Sequence, residues 1–300
     1  MCPVPLSLPF ITCIANRHPP PRGEKKSNPN NPTGAILPES TLHDLIALVK
    51  NHNSTLLPDG DRPLTIYSDE VFAPLFFPSS SPTTPPNPNP PPPLVSLGYR
   101  HTVSIGSTSK TIGLAGIRVG WIVSQDKGLM SRIATARDYT TTSVSQLDDA
   151  VAAYALSEQI YPKLVERNRV LCEKGIELVK RFVEGNNNAK AEKGKRNVRV
   201  EWIPPLGCGV AFVRFLWRES GEAVDDRELA RRFVKETGVS LIPAGFCFGH
   251  SEDGKLDDGG AGQYDGLDPE LKGYVRIALG EPEEALAGGL ELLDKFLERF

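Results

Sequence analysis

No apolar run in this sequence approaches the roughly 20 residues that a membrane-spanning helix needs. Nor is there a surplus of one charge: 34 Lys and Arg stand against 37 Asp and Glu, a net charge of -3. Electrostatics therefore gives no general reason to expect nucleic acid or a membrane surface as partner. The basic loop Lys190 to Arg196 reads as solvated chain. Cys2, Cys13, Cys172, Cys208 and Cys247 are odd in number and form no Cys-x-x-Cys or Cys/His ligand spacing. That pattern excludes a disulfide framework or structural zinc, so no metal is expected, and a reducing, cytoplasmic compartment is. All five read as small buried hydrophobes. Met1 to Ala15 is mildly apolar, but it has no basic start and is interrupted by Pro3, Pro5 and Pro9, so a secretory signal is the weaker reading.

What is present is an ordinary globular balance, 39% hydrophobic and 24% charged, in a 300-residue chain long enough for one large or two medium domains. Residues 1–26 are proline-rich and polar, and read as irregular. Leu42, Leu45, Ile46, Leu48 and Val49 have helical spacing over about 39–52. Leu64–Ser68 reads as a short buried strand ending at Asp69-Glu70. Residues 78–93, rich in Ser, Pro and Asn, cannot pack and are expected to be a solvent-exposed insertion. Strands are expected at Thr102–Gly106 and Val119–Val123, and helices dominate from 144 to about 184. Thereafter strands (Val198–Ile203, Val210–Leu216, Val239–Ile242, Tyr274–Leu279) alternate with helices (224–236, 282–299). The pattern predicts two lobes joined by the long helix near 160–184.

Three short stretches could carry chemistry. In Ser107-Thr108-Ser109-Lys110, a lysine follows a strand within a turn of hydroxyl residues, where it could form a Schiff base with an aldehyde cofactor. Alone, such a lysine is most often a surface charge. Arg118 opens the next strand, and its planar fork with the hydroxyls of Ser107 and Ser109 could make an anion site; otherwise it is a strand-end salt bridge. Asp69 ends a strand, where ligands sit in open α/β sheets; there its carboxylate could face a pyridine nitrogen, or simply cap the next turn. Asn28-Pro29-Asn30-Asn31-Pro32-Thr33-Gly34 fixes a stiff turn from which Asn31 could offer its amide.

Taken in order, NPNNPTG, SDEVF and STSK with Arg118 eight residues on closely resemble the large domain of the class I/II pyridoxal-phosphate-dependent aminotransferases. Later stretches agree: Pro205-Leu206-Gly207, Ile242-Pro243-Ala244-Gly245 with Phe248-Gly249, and Tyr274-Val275-Arg276-Ile277-Ala278. The resemblance covers residues 27 to 299 apart from the insertion. It implies an α/β chain of the aspartate aminotransferase-like fold: a partial large domain over 27–165, then an α+β small domain over 166–300. It implies pyridoxal 5'-phosphate as cofactor, an amino acid and a 2-oxo acid as substrates, and a homodimer. By the same resemblance Lys110 holds the cofactor and shuttles the substrate proton. Asp69 pairs with the pyridine nitrogen, Asn31 with the ring hydroxyl, and Ser107, Ser109 and Arg118 with the phosphate. Arg276 clamps the substrate carboxylate.

The chain departs from the family in two places. Phe72 stands where members usually carry Tyr, so it fills the cofactor-side space without the hydroxyl, a loss of roughly 0.5–1.5 kcal/mol. The strands, phosphate loop and stacking aromatic that normally precede the Asn-Pro turn have no counterpart in residues 1–26. Bare apolar faces and unpaired strand edges are therefore expected, with poor solubility or a need for a partner. A lyase or synthase using the same cofactor remains an alternative to transamination. So does a truncated, catalytically inactive relative.

Overall fold

The computed structural model describes residues 12–14, 27–55, 63–77, 90–187, 196–247 and 271–300. The expected insertion at 78–93 is described only from Pro90 on, and Phe248-Gly249 lies outside the described residues. So does the basic loop Lys190 to Arg196 apart from Arg196. The chain divides into two units: Met1–Arg169 with Leu206–Gly209, and Val170–Pro205 with Val210–Phe300.

The first unit carries a four-stranded sheet in the order β1 (Thr12–Ile14), β2 (Thr65–Asp69), β3 (Thr102–Ser107), β4 (Gly120–Val123). β2 and β3 run parallel, pairing Ile66 with Thr102 through Asp69 with Ile105; β1 and β4 flank them antiparallel. Within residues 1–26, expected to be irregular, β1 is a three-residue strand. Helix α1 (Glu39–Thr55) follows Pro38 and buries Leu42, Ile46 and Val49, the i, i+4, i+7 stripe of an amphipathic helix. That stripe shares one cluster with Ile66, Leu37, Leu94 and Tyr99. Tyr99 keeps its hydroxyl satisfied there by donating to the Leu64 carbonyl and accepting from Asn53.

Both ends of the proline-rich stretch are tied down. On one side the Phe77 N–H donates to the Leu206 carbonyl. On the other the Leu94 N–H donates to the Glu70 carboxylate at 2.9 Å, just ahead of a short 3-10 turn, Leu94–Ser96. Helices α2 (Lys127–Asp138) and α3 (Gln146–Ala155) follow β4, each started by a side-chain cap, Asp126 accepting from Leu129 N–H and Ser145 from Asp148 N–H.

The second unit is an antiparallel sheet in the order β5 (Val198–Trp202), β6 (Val210–Trp217), β8 (Tyr274–Ala278), β7 (Ile242–Pro243). β6 is central and mostly buried on both faces. Helix α4 (Tyr161–Asn187) runs from the first unit into the second and buries Cys172, Gly175, Val179, Phe182, Val183 and Asn186. Gly175 lets it approach the Leu279 backbone, where a Cβ would stand 2.8 Å from the carbonyl oxygen. Helices α5 (Asp226–Thr237) and α7 (Glu283–Leu297) bury Leu229, Phe233, Leu290 and Phe296, with Phe233 and Phe296 edge to face. Between α5 and β7 the expected strand Val239–Ile242 shrinks to Ile242–Pro243, followed by the short helix α6 (Ala244–Cys247). Cys172 and Cys208 are buried free thiols; burial and the neighbouring Glu173 push Cys172 up to about 11, leaving an unreactive thiol. No helix among the described residues is long and apolar enough to cross a membrane.

Candidate active site

The parallel pair β2–β3 sets the site, because both strands end on the same side and their loops meet there. The Asn-Pro turn is stitched to the end of β2: Ser27 bridges to Asp69, and the Asn28 N–H donates to the Asp69 carbonyl at 2.9 Å. Inside the turn every asparagine is engaged. Asn28 Oδ1 accepts from Leu37 N–H, Asn30 Oδ1 accepts from the Thr33 hydroxyl at 2.7 Å, and Asn31 N–H donates to the Ser27 hydroxyl at 3.0 Å. Gly34, at φ +70, closes the turn. Asn31 is thereby held half-buried beside the strand end that carries Asp69.

Asp69 is half-buried, and its Oδ1 accepts the Val71 N–H at 3.1 Å, an Asx-type turn that leads into Phe72. Phe72 is buried, and the Lys110 Nζ lies 5.7 Å from the centre of its ring, within cation–π range. Thr111 secures that approach. Its hydroxyl donates to the Ala73 carbonyl at 3.2 Å, and its own carbonyl accepts from Asn168 at 2.8 Å. Lys110 is thus an exposed amine on a turn bonded to the turn after Asp69.

The β3–β4 connection gathers the remaining residues. Ser109 N–H donates to the Ser107 hydroxyl at 3.0 Å, and that hydroxyl donates to Ser109 Oγ at 2.9 Å. Thr108, fully buried, ties the loop shut through its hydroxyl and N–H, both to the Val119 carbonyl. Arg118 sits in the left-handed region at φ 54, a conformation costing roughly 1–2 kcal/mol for a non-glycine residue. Its guanidinium is exposed and donates to Ala115 O at 3.0 Å. Two hydroxyls and a guanidinium in one loop are donors of the kind a phosphate takes. With an amine, a carboxylate and an amide nearby, the donor set fits a phosphate-bearing pyridine aldehyde; Phe72 itself offers no hydroxyl.

The first unit therefore brings together Asn31, Asp69, Phe72, Ser107, Ser109, Lys110 and Arg118. Arg276 belongs to the second unit, half-buried on β8 opposite Phe212 and Ile242. Sequence reasoning missed Glu70, Thr108 and Thr111. Glu70 accepts from Leu94 N–H and from the Ser104 hydroxyl. Burial raises its carboxyl above the usual range, against the lowering pull of the Leu94, Ser68 and Ser104 hydrogen bonds, with Asp69 adding to the rise. No signal in the sequence singles Glu70 out, because its donors Leu94 and Ser104 lie 24 and 34 residues away.

Comparison with known proteins gives a family. Residues 26–244 match the family described as aminotransferase class I and II. Capreomycidine synthase of Streptomyces vinaceus is 31% identical over 234 residues, 75% of this chain and 48% of that protein. Aspartate aminotransferase of Thermotoga maritima is 25% identical over 90% of this chain and 55% of its own length. Among solved structures, a PLP-dependent aminotransferase of Streptococcus suis superposes with a TM-score of 0.66 at 25% identity, over 91% of this chain and 56% of that one. The chain thus spans about half the length of the relatives it matches.

Proposed function

The chain belongs to the class I and II aminotransferase family, and on that premise we propose that it binds pyridoxal 5'-phosphate at Lys110 and moves an amino group from an amino acid to a 2-oxo acid. The observation that carries the reading is the set at the ends of β2 and β3: amine, strand-end carboxylate, and a loop of hydroxyls and guanidinium, in the family's order. Bound there, the cofactor supplies an aldehyde that condenses with amines and a ring that accepts an electron pair.

The protein's own residues do the rest. The Lys110 amine would hold the cofactor and would take and return the proton at the substrate α-carbon. The Asp69 carboxylate keeps a proton on the ring nitrogen, and the Asn31 amide pairs with the ring hydroxyl. Ser107, Ser109 and Arg118 bind the phosphate, where Arg118 offers a fork that Lys could not. Arg276 clamps the substrate carboxylate with two parallel N–H bonds. A homodimer is proposed from the family. A cytoplasmic location is proposed from the odd number and scattered spacing of the cysteines.

The test is a visible spectrum of the purified chain after incubation with pyridoxal phosphate and desalting, then borohydride reduction and peptide mapping, with Lys110→Ala as control. Retained absorbance with the label on Lys110, lost in the variant, is the expected result. Label spread over surface lysines, or none, would sink the proposal and leave a catalytically inactive relative. The likeness to a synthase, the Streptomyces protein, favours one second reading: the same cofactor used for elimination or cyclisation. A new 2-oxo acid formed only when a second oxo acid is supplied decides for transamination.

A further inference from the structure

Asp226 lies in the first turn of α5 and is 1% exposed. Each of its carboxylate oxygens takes a backbone N–H from a different place in the chain: Gly245 donates to Oδ2 at 2.9 Å, and Gly273 donates to Oδ1 at 3.2 Å. These two glycines stand opposite one another. β7 and β8 pair Ile242 with Arg276 and Pro243 with Val275, and that antiparallel register, carried two steps further, sets Gly245 against Gly273. The ladder itself stops short of them. β7 is two residues long, its Pro243 has no N–H to donate, and the chain turns into α6 at Ala244. The carboxylate bridges the two amides where the ladder ends. Their carbonyls are held as well: Gly245 O accepts from Arg227 at 3.0 Å, and Gly273 O accepts from Phe215 N–H at 2.8 Å. Gly273 is at φ +79, and a Cβ there would stand 2.6 Å from the Phe215 carbonyl oxygen, so no other residue fits.

We propose that Asp226 is a positioning residue for Arg276, holding the entry to β8 and with it the register that decides which face of the sheet Arg276 presents. The inference rests on the reading of Arg276 as the carboxylate clamp. A slip of one residue would turn every side chain of β8 to the opposite face; five pairs with β6 resist it on one edge, while the two-residue partner strand adds little on the other. Two hydrogen bonds accepted by a buried carboxylate do resist it, because slipping would pull both amides away from it.

The test uses the full chain with two readouts. Amide hydrogen exchange reports the clamp, and phenylglyoxal labelling of Arg276, read by peptide mass spectrometry, reports the register. Without any substitution, the Gly245 and Gly273 amides should exchange as slowly as those of the β6–β8 ladder. Asp226→Asn keeps the size but can no longer accept at both positions, and should speed exchange at both glycines by about tenfold or more. It should also change the Arg276 labelling rate several-fold while Arg199 labels as before. Asp226→Ala should go further in the same direction, and Arg231→Ala, on the exposed face of α5, should do neither. Fast exchange at both glycines in the unsubstituted chain overturns the proposal, and this needs no variant to fold. Unchanged Arg276 labelling in a folded Asp226→Asn overturns it too. Protection of Arg276 by maleate, a non-reacting dicarboxylate, checks the clamp reading separately: no protection counts against that reading while the labelling comparison still stands.

Discussion

The Lys110 amine, where the cofactor is proposed to attach, lies 5.7 Å from the centre of the Phe72 ring, and that ring carries no donor. Phe72→Tyr restores one hydroxyl in a buried position, and one hydrogen bond is worth roughly 0.5–1.5 kcal/mol. Pyridoxal phosphate should therefore bind up to about tenfold more tightly to the variant, measured by fluorescence titration; equal or weaker binding would show that the ring edge does not face the cofactor. Glu70 carries a pH dependence whose sign follows from burial. Its folded carboxyl titrates above the unfolded one, so protonation favours the folded state. The stabilisation is complete below the unfolded value and is lost as pH rises through the folded one. From about pH 4 upward, the melting temperature of the unsubstituted chain should decline relative to Glu70→Gln. Parallel profiles would dismiss the effect. Lys110, Asp69 and Arg118 were legible in the sequence because strand-end chemistry and order single them out. Glu70 and Thr111 were not, since what they do depends on Leu94 and Ala73, which only the fold brings to them.

Among the elements, α4 tests how closely helix and backbone are packed. Gly175 and Gly185 are both helical glycines, yet one faces the Leu279 carbonyl and the other faces open space. Alanine gains roughly 1 kcal/mol of helix propensity at either site. At Gly175 that gain is outweighed by forcing a methyl to within 2.8 Å of backbone, an overpacking cost of about 1–3 kcal/mol. Gly175→Ala should lower the urea midpoint and Gly185→Ala should raise it; the same sign for both would refute the packing argument. The same reasoning explains which elements the sequence announced. α1, α4, α5 and α7 each bury a periodic stripe, so their spacing shows. α2 buries no residue at all, so nothing in its pattern distinguished it. Val239, read as strand, instead follows the glycine that ends α5, its N–H bonded to the Thr237 hydroxyl.

For the molecule as a whole, the exposed apolar surface is concentrated in one part of the sequence. Trp121, Ile122 and Val123 of β4 are about 40% exposed, and Tyr139, Leu147 and Tyr154 are 86%, 80% and 67% exposed. β4 is also the last strand of its sheet among the described residues. An apolar strand exposed along an open edge invites association. The chain should therefore self-associate with concentration, and Leu147→Lys with Tyr154→Lys should raise the monomer fraction in light scattering; a monodisperse unsubstituted chain would argue otherwise. Elsewhere the molecule is tolerant. Phe77 is held by Leu206 and Leu94 by Glu70, so both flanks of the proline-rich stretch are fixed posts. Lengthening such a span costs only about 0.6 kcal/mol per doubling. Between those posts, a protein engineer could graft a purification tag or a fluorescent reporter while leaving the active-site strands β2 and β3 as they are.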